Sequence, residues 1–205
     1  MARRRQTIRP ELSAQVLISA YASGAFPMPD PDAPGELLWF SPDPRCLLPL
    51  DDRFHVARRL AWTIRRGRYV CTLDRDFRGV MLGCAARPEG TWISDDFLAA
   101  YCRLHELGLA HSVEAWEAGD PGRLVGGVYG VSIKGAFFAE SMFHRATDAG
   151  KVALVRLVGH LRGRGFLMCD VQWRTANLAR LGAIELSRRR YLALLSKALG
   201  ADVTW

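Results

Sequence analysis

HSVEAWEAGDPGRLVGGVYGVSIKGAFFAESMF, residues 111–143, alternates apolar and polar side chains with period two over three successive runs: HSVEAWE, LVGGVYGVSI and GAFFAESMF. The interruptions are turn signals, Gly119-Asp120-Pro121-Gly122 and Lys134-Gly135. Three strands joined by short turns predict an antiparallel meander. The glycines of GGVYG read as a strand with a bulge or a close backbone approach. The third run carries Glu140 between apolar neighbours, and a carboxylate there is costly to desolvate unless it is paired or hydrogen-bonded. Glu140 is therefore either a strand-end residue facing water or a polar group retained for a task.

Downstream, Thr147 or Asp148 is placed to cap a helix over VALVRLVGHLRGRG, where Val152, Val155, Leu157, Val158 and Leu161 recur at helical spacing. FLMCDVQW reads as a short apolar strand and LGAIEL as another, and Ser187 opens a last helix, RRRYLALLSKAL. Upstream, Pro10 to Tyr21 has helical periodicity and ends at Ser23-Gly24. Six prolines between Phe26 and Arg45 exclude a helix interior or a central strand. That stretch reads as a lid-like loop interrupted by a short strand at Leu37 to Phe40, its aromatics Phe26, Trp39 and Phe40 packing on a neighbour. Residues 55–66 form an amphipathic helix, Tyr69 to Leu73 a strand, Phe77 to Ala85 a helix, and Asp95 to Leu107 a helix that Gly108 terminates. The expected architecture is an α+β domain with a mixed, mostly antiparallel sheet over residues 45–205, preceded by a small N-terminal domain over 1–44.

The 205 residues carry a net charge of +7, and only Lys134, Lys151 and Lys197 of the 28 basic residues are lysines. Arginines cluster at 3–5, 58–59, 65–68, 162–164 and 188–190, which fits either an anionic partner or solvated helix faces. No apolar run is long enough to span a bilayer, and MARRRQTIRPELS lacks the apolar stretch of a secretory signal, so a cytoplasmic protein is expected. Five cysteines stand singly, and His105 and His111 belong to no H-E-x-x-H pattern, so no metal site is expected.

In FLMCDVQW, strand alternation puts Asp170 and Gln172 on one face and Cys169 and Val171 on the other. A hydrogen-bonded Asp beside an amide can orient or deprotonate an amine; a satisfied core Asp is the alternative. If this strand lies beside that of Glu140, three polar side chains converge over an apolar floor. There is no G-x-S-x-G, Walker A sequence or Rossmann glycine motif.

The blocks AYASGAFPM, WFSPDPR, EGTWI, AYCRLHELGLAHSVEAWE, LVGGVYGV, FFAESMF, KVALV, CDVQ and LGAIELSRRRYL run from Ser13 to Leu195. Together they resemble the bacterial leucyl/phenylalanyl-tRNA–protein transferase family, in a compact form. The resemblance implies an acetyltransferase-like main domain and transfer of Leu or Phe, less readily Met, from aminoacyl-tRNA to the α-amino group of proteins beginning with Arg or Lys. The product carries a degradation signal, and no metal, ATP or coenzyme A takes part. The resemblance further implies that Glu140, Asp170 and Gln172 line the reaction centre, with Asp170, acting directly or through Gln172, assisting deprotonation of the amine and Glu140 holding the cationic acceptor. A route in which the tRNA's own ribose hydroxyl shuttles the proton stands beside it. Phe137, Met142, Leu154, Leu157 and Met28 would form the pocket for the transferred side chain. Trp92 and Tyr101 would lie near the terminal adenosine, and Arg58, Arg59, Arg65 and Arg66 would hold the acceptor stem.

Three positions depart from the family pattern: Met28 replaces a frequent Trp, Gly150 a Ser and Asn177 a His. A monomer is expected. The alternatives are an acyl-coenzyme A N-acetyltransferase on the same fold, which the single glycine in HRATDAGK disfavours, and a non-catalytic tRNA-binding protein.

Overall fold

The computed structural model describes residues 12–30, 33, 36–88 and 90–205. The expected helix start at Pro10 and the arginines at 3–5 lie outside them. Helix α1 spans Ala14–Ala22, with the Ser13 side chain accepting from the Val16 N–H. The proline-rich stretch contains two paired strands, β1 (Phe26–Pro29) and β2 (Leu37–Phe40). Only β2 is legible in the sequence; β1 carries two prolines and is accommodated in a two-stranded ribbon, where few ladder bonds are required of it.

The main sheet has the order β4-β5-β6-β7-β8-β3-β9. Its meander is β5 (Ala110–Glu117), β6 (Asp120–Ile133) and β7 (Ala136–His144), as expected. The first turn is tighter than the glycines suggest, because Glu117 pairs with Asp120 and Pro121 and Gly122 fall inside β6. Tyr69–Leu73 is β4 at one edge, and Met168–Gln172 is β8. β8 pairs parallel with β7, the single parallel pairing among the described residues. β3 (Arg45–Leu48), which no sequence signal marks, lies between β8 and β9 (Ile184–Leu186). The mixed, mostly antiparallel α+β architecture agrees with the expectation.

Each sheet face has its own core. On one face α1, α3 (Phe77–Ala85), α4 (Asp95–Glu106) and α7 (Arg188–Leu199) bury Leu17, Tyr21, Met81, Phe97 and Leu195 against Tyr129 and Phe138. On the other, α2 (Arg58–Arg65), α5 (Ala149–Arg164) and the turn after α6 (Ala176–Arg180) bury Leu60, Leu157, Leu161 and Leu181 against Phe137 and Cys169. The alternation along β7 carries this division: Phe138 faces the first core, Phe137 and Ala139 the second.

That alternation is interrupted once. Tyr129 pairs with Ser141 and Gly130 with Ala139, so Glu140 is the extra residue of a β-bulge. Past it the parity reverses, with Met142 against the second core and Phe143 in the first. Gly130 is required opposite the bulge, since a Cβ there would meet the Phe138 carbonyl oxygen at 2.2 Å and the Phe137 ring at 2.6 Å. Gly130→Ala is therefore expected to cost about 1–3 kcal/mol in urea unfolding. Gly159→Ala, in the interior of α5 with open space around it, should gain about 0.5–1 kcal/mol.

Candidate active site

β8 ends in a local device that its own sequence supplies. Asp170 Oδ1 accepts the Gln172 N–H at 2.8 Å, the Trp173 N–H reaches the Val171 carbonyl at 2.7 Å, and Gln172 has φ +57°. An Asp accepting from the backbone two residues on favours such a turn, while a non-glycine residue at positive φ is held there by its surroundings. Val171 is itself an extra residue against β3, since Cys46 pairs with Gln172 and Leu47 with Asp170. The turn directs the Gln172 amide across the end of the β7–β8 ladder, whose last pair is Phe138 with Asp170, and Nε2 donates to Glu140 Oε1 at 3.1 Å. Two bulges and one turn thus bring Glu140 and Gln172 together, with Asp170 behind them.

Asp170 is fully buried and both its oxygens are engaged. Arg45 Nε donates to Oδ1 and Oδ2 at 3.0 Å each, Arg45 Nη2 lies 2.9 Å from Oδ2, and the Tyr191 hydroxyl donates to Oδ2 at 2.8 Å. Arg45 is equally buried, its guanidinium 4.8 Å from the ring centroids of both Phe26 and Tyr191, with Nη1 donating to the Gly24 carbonyl at 3.0 Å. A carboxylate so enclosed is an anchor, and this seat does not agree with direct contact between Asp170 and an incoming amine. The sequence reading missed Arg45; a lone arginine after a proline-rich stretch gives no sign that it faces inward.

Glu140 is partly buried and lies on the cavity side. The Tyr101 hydroxyl donates to Oε2 at 3.3 Å, and the Tyr21 hydroxyl is hydrogen-bonded to that of Tyr101. Burial pushes the Glu140 carboxyl up to about 8; the Asp170 charge adds to the rise, while hydrogen bonding from the tyrosine hydroxyls and the Arg45 charge oppose it.

A cavity of about 740 Å³ opens beside Glu140, with Met142, Phe143, Leu154, Leu178 and Leu181 among its apolar walls. Of the expected pocket residues, Met142 and Leu154 line it. Phe137 and Leu157 are fully buried in the core beneath, and Met28 lies on β1 opposite Leu38, packed against the core of the other face. Gly150 lets the start of α5 press on β7: a Cβ there would meet the Phe143 carbonyl oxygen at 2.6 Å and the Met142 methyl at 3.0 Å. Asn177 also lines the cavity.

Tyr101 cannot stack on a nucleoside as it stands, because it is fully buried and its hydroxyl is spent on Glu140. Trp92 is partly exposed and packs edge-on against Phe97. Arg58, Arg59 and Arg65 of α2, with Arg66 at its end, are exposed, as a phosphate-binding surface requires. Away from the cavity, Asp74, His105 and His111 bring ligand-type atoms within 4.8 Å, a grouping that the spacing did not suggest. His111 Nδ1 is 2.8 Å from Asp74, which ties β5 to the end of β4, and His105 Nδ1 is 2.8 Å from the Ala110 carbonyl, which ties α4 to β5.

Because Arg45 neutralises a buried charge, Arg45→Met is expected to lose about 3–5 kcal/mol in urea unfolding. The double variant Arg45→Met/Asp170→Asn should lose less than the single one; additive losses would separate the two residues energetically.

Comparison with known proteins identifies the family. The profile of the family described as leucyl/phenylalanyl-tRNA protein transferase matches residues 47–196, and that of its N-terminal domain matches residues 10–43. Relatives named leucyl/phenylalanyl-tRNA–protein transferase include one from Herpetosiphon aurantiacus, 50% identical, with 95% of this chain and 98% of the relative covered. Another, from Akkermansia muciniphila, is 46% identical over 92% of this chain and 96% of its own length. Among solved structures, the L-PGS from Bacillus licheniformis is 10% identical with a TM-score of 0.46, covering 92% of this chain and 71% of that one. The chain belongs to the leucyl/phenylalanyl-tRNA protein transferase family.

Proposed function

We propose that this protein transfers Leu or Phe from aminoacyl-tRNA to the α-amino group of proteins beginning with Arg or Lys, with the aminoacyl side chain in the cavity beside Glu140. Family membership supports the aminoacyltransferase activity. The observation that carries the placement is the Glu140–Gln172 contact at the open end of the β7–β8 ladder, directly over apolar walls. The meander followed by α5 and the parallel strand β8 fits the acetyltransferase-like fold, with residues 1–44 as the small N-terminal domain.

The reaction is aminolysis of an ester. The amine nitrogen bonds to the ester carbonyl carbon, the bond from that carbon to the ribose oxygen breaks, and one proton moves from nitrogen to the released oxygen. Holding amine and ester together supplies much of the acceleration. The attacking amine must be neutral, and an α-amino group titrates at about 7.7–8.0. Glu140, held up to about 8, is matched to exchange that proton, since proton transfer is most efficient between groups of similar pKa near the working pH. Glu140 therefore both meets the cationic acceptor and takes its proton. Gln172 orients Glu140, and Asp170 acts as a positioning residue that holds the Gln172 turn.

Met142 and Leu154 contact the transferred side chain, and the packing of Gly150 against Met142 sets how deep it enters. Trp92, partly exposed, offers an aromatic face to the terminal adenosine, and Arg58, Arg59, Arg65 and Arg66 meet acceptor-stem phosphates. Such contacts position RNA without reading its sequence. The reaction would run on cytoplasmic substrates; among the described residues no helix is long and apolar enough to cross a membrane.

Labelled Leu from leucyl-tRNA is expected on peptides beginning with Arg or Lys and absent from those beginning with Asp or Ala. Glu140 is protonated below its raised pKa and becomes a base above it, so kcat should climb with pH, pass half its maximum at about 8 and level off above that. Glu140→Gln should lower kcat about 10²-fold or more and remove that limb. A limb that survives in Glu140→Gln would assign the titration to the amine alone.

A further inference from the structure

The bulge that presents Glu140 also presents Ser141, and Ser141 holds an arginine at the cavity. Arg87, just past α3, donates from Nη2 to Ser141 Oγ at 3.0 Å and from Nε to the Cys84 carbonyl at 3.1 Å. These contacts use two of the five N–H donors of a guanidinium, and both acceptors are neutral. At the end of β7, Arg145 donates from Nη1 to the Leu124 carbonyl at 3.2 Å, and its guanidinium carbon lies 5.3 Å from the centroid of the Phe143 ring. Both side chains line the cavity that contains Glu140, and both are exposed.

Among the described residues, the charge of Arg87 and Arg145 is uncompensated. A third cationic side chain of the cavity, Lys151, is paired with Asp148 at 3.1 Å. Among the described residues no carboxylate forms an ion pair with Arg87 or Arg145. Glu140, the remaining carboxyl of the wall, has its ionised form disfavoured by burial. Two anchored guanidinium groups beside an apolar cavity suit a ligand with an apolar end and an anionic group a short distance away. Planar guanidinium groups match phosphate oxygens with paired hydrogen bonds. The acceptor brings a cationic terminus, which Glu140 meets; the donor carries phosphodiesters, and these are the anions that guanidinium groups on this wall can hold.

We infer that Arg87 and Arg145 form a phosphodiester site that holds the 3′-terminal nucleotides of the aminoacyl-tRNA while its aminoacyl group occupies the cavity, an assignment that rests on the donor placement proposed above. The site is separate from the arginines of α2. It acts close to the ester, where it would prevent the terminal nucleotide from sliding while the side chain seats.

The test compares wild-type full-length protein with Arg87→Ala, Arg145→Ala and the double variant, using leucyl-tRNA and a leucyl ester of adenosine that lacks phosphate. With leucyl-tRNA, each single variant should raise the donor KM about tenfold and leave kcat within about twofold. Each should also flatten the dependence of log KM on log salt by about 0.7. With leucyl-adenosine the variants should match wild type, and Arg87→Lys should recover part of the loss with tRNA. Equal losses with both donors, an unchanged donor KM with tRNA, or a change confined to the acceptor KM would each overturn the phosphate assignment. Binding of a 5′-phosphorylated CCA trinucleotide, read by fluorescence anisotropy, tests the arginines independently of transfer. If wild type binds it, the variants do not, and no Leu reaches an Arg peptide, the site stands and the proposed reaction falls. Equal binding by wild type and variants removes the site.

Discussion

The ion pair between Arg45 and Asp170 is the constraint on which the rest of this structure depends. It lies inside the sheet, where neither partner is tolerable alone, and its contacts reach several parts of the chain. The Gly24 carbonyl and the Phe26 ring enter from the N-terminal segment, Tyr191 from α7, and the Gln172 N–H from the end of β8. An arginine at the start of β3 thereby explains how a strand far away in sequence is held between β8 and β9, and how the N-terminal segment is pinned against the main sheet. Breaking the pair would release the turn at Gln172 as well as destabilise the core.

Polar groups around that anchor are graded by depth. Asp170 is enclosed and accepts four hydrogen bonds from three donors, Arg45 Nε, the Gln172 N–H and the Tyr191 hydroxyl, so its charge is fixed in place. Glu140, one strand away and nearer the cavity, has softer partners: a tyrosine hydroxyl and an amide, neither carrying a charge. Burial without a direct cation raises its pKa, and the two carboxyls consequently differ in character although they stand close together. The first serves as scaffold and the second is available for proton exchange. An apolar floor completes the arrangement, because the reversal of parity at the bulge turns Met142 toward α5 while Glu140 and Ser141 remain on the side of α3 and α4.

Periodic signals were the most legible. The meander, the helices at 77–85, 95–106 and 188–199, and the strand of Asp170 all follow from local hydrophobic period and capping residues, which act over a few residues and leave their mark there. β1 and β3 left no such mark: each is four residues long, and pairing with distant partners overrides a composition rich in proline or charge. The same division applies to the site. Asp170, Gln172 and Glu140 stand out as polar residues in apolar strands, whereas Arg45, Arg87 and Tyr21 look like ordinary surface or helix residues until their partners are known.

The sequence by itself determined the class of fold, the family and the identity of the three polar residues over an apolar floor, because these depend on residue type and short-range spacing. Only the tertiary structure decided their division of labour. Whether a carboxyl is clamped by a guanidinium or left among tyrosines depends on contacts between segments 32 to 125 residues apart, as with Glu140 and Gln172 or Arg45 and Asp170. It likewise decided which apolar residues reach the cavity. Phe137 and Met142 occupy the same strand, yet one is sealed in the core and the other lines the wall, since depth beneath a sheet is set by what packs above it.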